Sequence, residues 1–163
     1  MMIFLQVNSF LALKIKRGNK INEGLTVGRE YYVKFKLVPH EILGGWINVL
    51  HFTTGEDKHT PGSRIPALWF KDDTLLFHSD VNGDTLYGFT TSTKYVANET
   101  IDINIQQVIV DDNYIFEVII NNESIHRREN TQPQIFKNVT LYVSDPWYTA
   151  QPGYIMDLQY SAG

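Results

Sequence analysis

Apolar and polar residues alternate with period two along most of this chain, and no stretch sustains the stripe of an amphipathic helix. In "REYYVKFKLVP" Tyr31, Val33, Phe35 and Leu37 fall on one face, with Tyr32, Lys34 and Lys36 on the other, as in a half-buried antiparallel strand. Pro39 ends that run. "TIDINIQQVIV" sets Ile101, Ile103 and Ile105 against Asp102, Asn104 and Gln106, and "NYIFEVII" sets Tyr114, Phe116, Val118 and Ile120 against Glu117. Asp111-Asp112-Asn113 between them is turn chemistry and predicts a hairpin.

The same pattern recurs in "WINVLHFTT", "RIPALWF", "TLLFHSD", "DTLYGFTT", "NVTLYVS" and "GYIMDLQYS". Asp72-Asp73, Asn82-Gly83 and Asn121-Asn122 punctuate these runs with residues that tolerate left-handed backbone. About eleven to thirteen strands at this spacing predict an all-β, two-sheet antiparallel sandwich or barrel. "WINVLHF", "IPALWF" and "TLLFHS" are apolar on both faces, so they are expected centrally, one face in the core and the other partly covered. In "GYIMDLQYS" the alternation puts Tyr154, Met156, Leu158 and Tyr160 together. The opening "MMIFLQVNSFLALKIKRG" reads as strands: its charges follow the apolar run, and the run is shorter than the ~20 residues a bilayer requires. In a secreted protein a leader would have preceded it.

With 163 residues, one domain spanning 1–163 is the expectation, and such a chain can bury a core without covalent staples. A net charge of -4 with only two short basic clusters argues against a nucleic-acid surface. The absence of cysteine excludes disulfides, thiolate nucleophiles and cysteine-ligated metals. Three sequons, at Asn98, Asn122 and Asn138, lie at or near expected strand ends and tilt the reading towards an extracellular or secreted glycoprotein.

The ordered set "YYVKFKLVP", "GGWINVLHFTTG", "RIPALWF", "NETIDINIQQV", "YIFEVIINNESI", "VTLYVSDPW" and "GYIMDLQY" resembles the concanavalin A-like jelly roll of laminin G-type domains, thrombospondin N-terminal domains, pentraxins and galectins. The likeness covers nearly the whole chain. It implies a lectin-like module for glycans or extracellular proteins, without membrane insertion. Galectin-type galactoside specificity does not carry over: "HFTTG" has Thr53 where asparagine is required, and Trp46, Trp69 and Trp147 lack the following glutamate and arginine. Some members hydrolyse β-glucans with carboxylates at alternate positions of one strand, roughly 5 Å apart, but no such run exists here. The expectation is therefore no enzyme, with glycoside hydrolysis as a less favoured alternative.

Candidate ligand residues come from two connections. The polar insertion "TTGEDKHTPGSR" offers Glu56, Asp57, His59 and Arg64 for hydroxyls or carboxylates, and "DPWYTAQPG" offers Trp147 and Tyr148 as rings against a sugar. Two readings of that aromatic pair stand: a plug in the open end of the sandwich, or a ligand platform beside polar loops. His51 and His78 read as packed strand histidines with one hydrogen bond each, and His40 and His126 as surface residues near strand ends. No cofactor is expected; the alternative is a calcium ion among Asp72, Asp73, Asp80, Asp84 and Asp111. The alternative function is an adhesion or structural module that self-associates as a homo-oligomer through a sheet face or edge.

Overall fold

The computed structural model describes residues 4–6 and 12–161, side chains from residue 12 onward, and contains no helix among them. The strands are β1 (Phe4–Gln6), β2 (Leu13–Lys14), β3 (Lys20–Val27), β4 (Tyr31–Pro39), β5 (Trp46–Thr53), β6 (Ala67–Lys71), β7 (Thr74–His78), β8 (Gly88–Thr90), β9 (Ile101–Val110), β10 (Asn113–Ile120), β11 (Glu123–Glu129), β12 (Phe136–Tyr142), β13 (Thr149–Ala150) and β14 (Gly153–Ser161). The opening run contributes β1 and β2; its remaining residues up to 11 lie outside the described ones.

Two sheets face each other. Sheet A has the order β1-β14-β4-β9-β10-β11, with β2 also on β14; sheet B has the order β3-β12-β5-β6-β7-β8, with β13 also on β5. All ladders are antiparallel except β13 with β5. The expected hairpin turns form at Asp111-Asp112 and Asn121-Asn122, each residue in the left-handed region that Asp and Asn tolerate.

The core lies between the sheets, with Val33, Phe35, Leu37, Ile103, Ile105 and Phe116 from one and Val49, Phe52, Leu68, Phe70, Leu75 and Phe77 from the other. Period two thus identifies the inward face of β4, β9 and β10. Two readings change. In β14 a bulge between Met156 and Gln159 shifts the phase, so Ile155, Leu158 and Tyr160 point inward while Tyr154 and Met156 do not. His126 is not a surface residue at a strand end: it sits within β11, half-buried, stacked on Phe89 at 4.2 Å and bonded to Tyr87 Oη at 2.5 Å. That contact joins the β8 edge of one sheet to the β11 edge of the other.

The central strands of sheet B are buried on both faces. Their outer face carries a second, smaller cluster of Ala67, Trp69 and Leu76, against which Tyr148 packs. After β12 the chain turns through 143–148 and returns as β13 along the same edge of β5 that β12 occupies. The turn therefore stands over β5, close to the connection 54–66.

Candidate functional site

Alternation on β5 directs Trp46 and Asn48 outward, and after a bulge it directs His51 outward; β6 adds Trp69 and β7 adds His78. Trp46 is placed by the tight turn before it. Gly45 adopts φ +89, its N–H donates to Asp72 Oδ1 at 2.9 Å, and its carbonyl accepts from the Asp72 N–H at 3.0 Å. The β6–β7 turn thereby holds the start of β5.

A buried pair ties both connections to this face. His51 Nδ1 lies 2.7 Å from Asp145 Oδ2, and His51 Nε2 lies 2.6 Å from the Ser63 carbonyl oxygen, with both side chains fully buried. A carbonyl only accepts, so Nε2 carries a proton, and one further proton is shared between Nδ1 and the carboxylate. Asp145 Oδ1 accepts from the N–H groups of Trp147 and Tyr148 at 2.9 and 2.8 Å, and Asn48 Oδ1 accepts from the Asp145 N–H at 2.8 Å. The histidine expected to make one bond thus makes two, and through them fixes 63 and 145–148 above the sheet.

Arg64 is buried by its surroundings. Nε donates to Asp57 Oδ1 at 2.8 Å, Nη2 donates to Asp57 Oδ2 at 3.2 Å and to Tyr148 Oη at 3.3 Å, and Nη1 donates to His78 Nδ1 at 3.4 Å. Its guanidinium also sits 4.6 Å from the centroid of Trp69. Burial opposes ionisation of Asp57, but the Arg64 bonds and charge prevail and hold the carboxyl below its usual range. Burial first, then the Arg64 charge, lower His78 to about 4, so it is neutral at physiological pH. Burial and the neighbouring Asp57 push the Tyr148 phenol up to about 12.

Above these groups opens a depression of about 610 Å³ lined by Trp46, His59, Arg64, His78, Leu86 and Tyr148. Trp46 and Tyr148 form a shelf in it, their rings 6.4 Å apart and 28° from parallel, with Trp46 39% exposed. Trp69 packs edge-on against both rings, fully buried, its indole N–H without a hydrogen-bond partner. Arg64 is paired with Asp57, and a second cation, Lys71 Nζ, lies 5.3 Å from the centroid of the Trp46 ring. The site offers aromatic faces, a fixed guanidinium edge and imidazole nitrogens to a ring bearing hydroxyls.

Tyr148, His59, Arg64 and Asp57 are thus brought together from the two connections. Glu56 stands apart, paired with Lys58 in solvent. Trp147 faces the other way: its ring meets His51 and Tyr142 edge-on and is 38% exposed, so it lies against the outside of sheet B and not between the sheets. Trp46, His78 and Leu86 were not singled out by the sequence as ligand residues. The signal for Trp46 and His78 is that β5 and β7 are apolar on both faces, which requires a cover; Leu86, in the turn before β8, carries none.

Asn98, Asn122 and Asn138 are all exposed and all in the left-handed region. Asn98 precedes β9 and Asn122 turns β10 into β11, whereas Asn138 lies inside β12 at a bulge. The aspartates considered for calcium are spread over separate turns. Asp72 holds Gly45, Asp73 pairs with Lys94, Asp80 accepts from Gly62 and Asp84 accepts from Leu86. Among the described residues no three carboxylate or imidazole groups converge on a cation position.

Solved structures with the same chain path decide the fold. The chain aligns over its full length with domain 4 of a GH43 extracellular arabinanase from Geobacillus stearothermophilus in complex with arabinotriose, covering 76% of that chain at 15% identity and TM-score 0.62. It covers 73% of a heptameric SAP-like pentraxin from Limulus polyphemus with 98% of its own length, at 13% identity and TM-score 0.58. It covers 91% of the IT-sialidase CBM40 of Ruminococcus gnavus bound to α2,3-sialyllactose with 95% of its own length, at 13% identity and TM-score 0.55. The fold is a concanavalin A-like jelly roll. No family model and no curated sequence matches the chain. Within this jelly roll the depression lies over the strand order β5-β6-β7, beside the connections 54–66 and 143–148.

Proposed function

We propose that the chain is a non-enzymatic glycan-binding module that works outside the cell and takes its ligand in the depression over β5, β6 and β7. The observation that carries this reading is the Trp46–Tyr148 shelf opening beside Arg64, His59 and His78. Rings cover the apolar face of a sugar while fixed polar edges take its hydroxyls. Two of the structures that share the fold hold oligosaccharides, arabinotriose in one and sialyllactose in the other, which supports the ligand class.

A binding role is supported over a hydrolytic one by the state of the two carboxylates that the cover holds, Asp57 and Asp145. Hydrolysis of a glycosidic bond requires a protonated carboxylic acid at the leaving oxygen. Asp57 is instead clamped by Arg64 and held ionised, and Asp145 is fully buried beneath the cover. Three exposed sequons support an extracellular setting.

The test is a glycan array followed by calorimetry on the best oligosaccharide, with circular dichroism confirming that each variant folds. Trp46→Ala and Tyr148→Ala are each expected to weaken binding about tenfold, the loss of one ring contact. Undiminished binding in the double variant would remove the depression as the site. A blank array together with concentration-dependent dimerisation would favour the self-associating module.

A further inference from the structure

The outer face of sheet A carries a second cavity, a groove of about 380 Å³ crossing β14, β4 and β9 and bounded by Ile119 of β10 and the sequon residue Asn122. Its walls hold Lys34 and Lys36 from β4, Asp102 and Asn104 from β9, and Asp157 and Gln159 from β14. The register sets them in rows: Lys36 is opposite Asp102, and Lys34 lies between Asn104 on one side and Gln159 on the other. Strand spacing puts neighbouring rows about 5 Å apart.

Three observations set this groove apart from an ordinary solvated face. First, although Lys36 and Asp102 are ladder partners, none of the four charged side chains forms an ion pair or side-chain hydrogen bond with a described residue. The adjoining half of the same face is fully knitted. Gln106 Nε2 donates to Glu117 Oε1, and Glu117 Oε2 accepts from Ser124 Oγ and lies 3.3 Å from Arg127 Nε.

Second, that network orients Asn104. The Glu117 carboxylate needs a donor, so Gln106 turns its NH2 towards it and its Oε1 towards Asn104, whose Nδ2 donates at 3.0 Å. Asn104 lines the groove, and its Oδ1 is left buried and without a hydrogen-bond partner. Such an acceptor costs free energy unless something donates to it.

Third, the β14 bulge opens the groove. Asp157 there takes φ +53, a left-handed conformation that aspartate tolerates, and it lines the cavity.

We propose that this groove is a second ligand site, distinct from the depression on sheet B, and that it takes a neutral polyhydroxylated saccharide. Its two ammonium groups and two carboxylates cancel, so a charged ligand gains little. A hydroxyl both donates and accepts, and neighbouring hydroxyls satisfy a carboxylate and an ammonium together. An extended peptide is disfavoured because β4 and β9 are interior strands with both edges paired, leaving no backbone to add to. Sites on opposite sheets would let one module engage two glycan segments, with the avidity that two linked contacts give.

The test is ¹⁵N-resolved NMR titration with arabinotriose and maltotriose as neutral probes, and 3′-sialyllactose and an extended hexapeptide as controls. A neutral trisaccharide is expected to shift the amides of 34–36, 102–104 and 157–159, in the wild type and equally in the Trp46→Ala/Tyr148→Ala variant. Lys34→Ala and Asp102→Asn are expected to weaken that interaction about tenfold. Asp157→Gly, which suits the backbone conformation, serves as a further variant with low risk to folding. No shift at these amides with millimolar neutral trisaccharide, or shifts confined to the sheet B depression, overturns the groove while leaving the depression untouched. A response to sialyllactose or peptide alone overturns the ligand class. Groove shifts without any at the depression would count against the proposed function and for this site.

Discussion

His51 and His78 stand on one face of one sheet, both buried, and do different work. His51 has a bond at each nitrogen and holds two connections in place. His78 accepts from Arg64 and is kept neutral, its folded-state value near 4. A histidine that is harder to protonate when folded binds fewer protons than the unfolded chain between about pH 4 and 6.5. Its contribution to stability is therefore present above about 6.5 and lost as pH falls towards 4, a change on the order of 3 kcal/mol. Asp80, raised to about 6 chiefly by burial, tilts the other way, its contribution being lost as pH rises from about 4 to 6. The informative quantity is thus the difference between wild type and His78→Gln. Urea midpoints at pH 4.5, 5.5 and 7 should show the wild type losing stability relative to the variant as pH falls; parallel curves would contradict the assignment.

At the scale of the elements, strand faces follow the sequence until a bulge or a close approach intervenes. β4, β9 and β10 read correctly because their inward residues are apolar apart from Gln107, while Lys34, Lys36, Asp102, Asn104, Gln106 and Glu117 mark the outward face. β14 misleads because Asp157 inserts an extra step, and nothing local distinguishes that aspartate from one in register. Gly153, where β14 begins, shows the opposite kind of constraint. It has φ +142, and a Cβ there would lie 2.1 Å from the Val38 carbonyl oxygen of the paired strand. Gly24, at φ +68, has nothing within 4 Å. Gly153→Ala is expected to lower the melting temperature by well over the few degrees of Gly24→Ala, since one adds a backbone collision and the other only local strain of about 1–2 kcal/mol. Equal losses by calorimetry would mean the strand start yields easily.

The whole molecule is a sandwich with a third, partial layer: two connections folded onto the outside of sheet B. That layer explains why β5, β6 and β7 are apolar on both faces. Replacing residues 55–61 by a short Gly-Ser turn removes Asp57 from Arg64 and uncovers Trp69. In a Trp46→Phe/Trp147→Phe background the remaining indole emission is expected to shift red and become quenchable by acrylamide while the strand signal in circular dichroism persists. Unchanged emission would show that the cover is not what buries Trp69.

Most strands, their turns and most inward faces were legible in the sequence, because side-chain alternation and left-handed turn residues are local properties of the chain; β3, β11 and β13 lay outside the runs it marked. It also pointed to the two connections, and Tyr148, His59, Arg64 and Asp57 from them meet at one place. Tertiary structure alone decided the rest. Which strands are neighbours depends on pairings between distant residues, and those pairings set β13 on β5, bring Trp46 and His78 under the cover, and turn Trp147 away from it. The open groove on sheet A has the same origin. Lys34, Asp102 and Asp157 belong to three separate strands, and only the order β14-β4-β9 makes them the walls of one cavity.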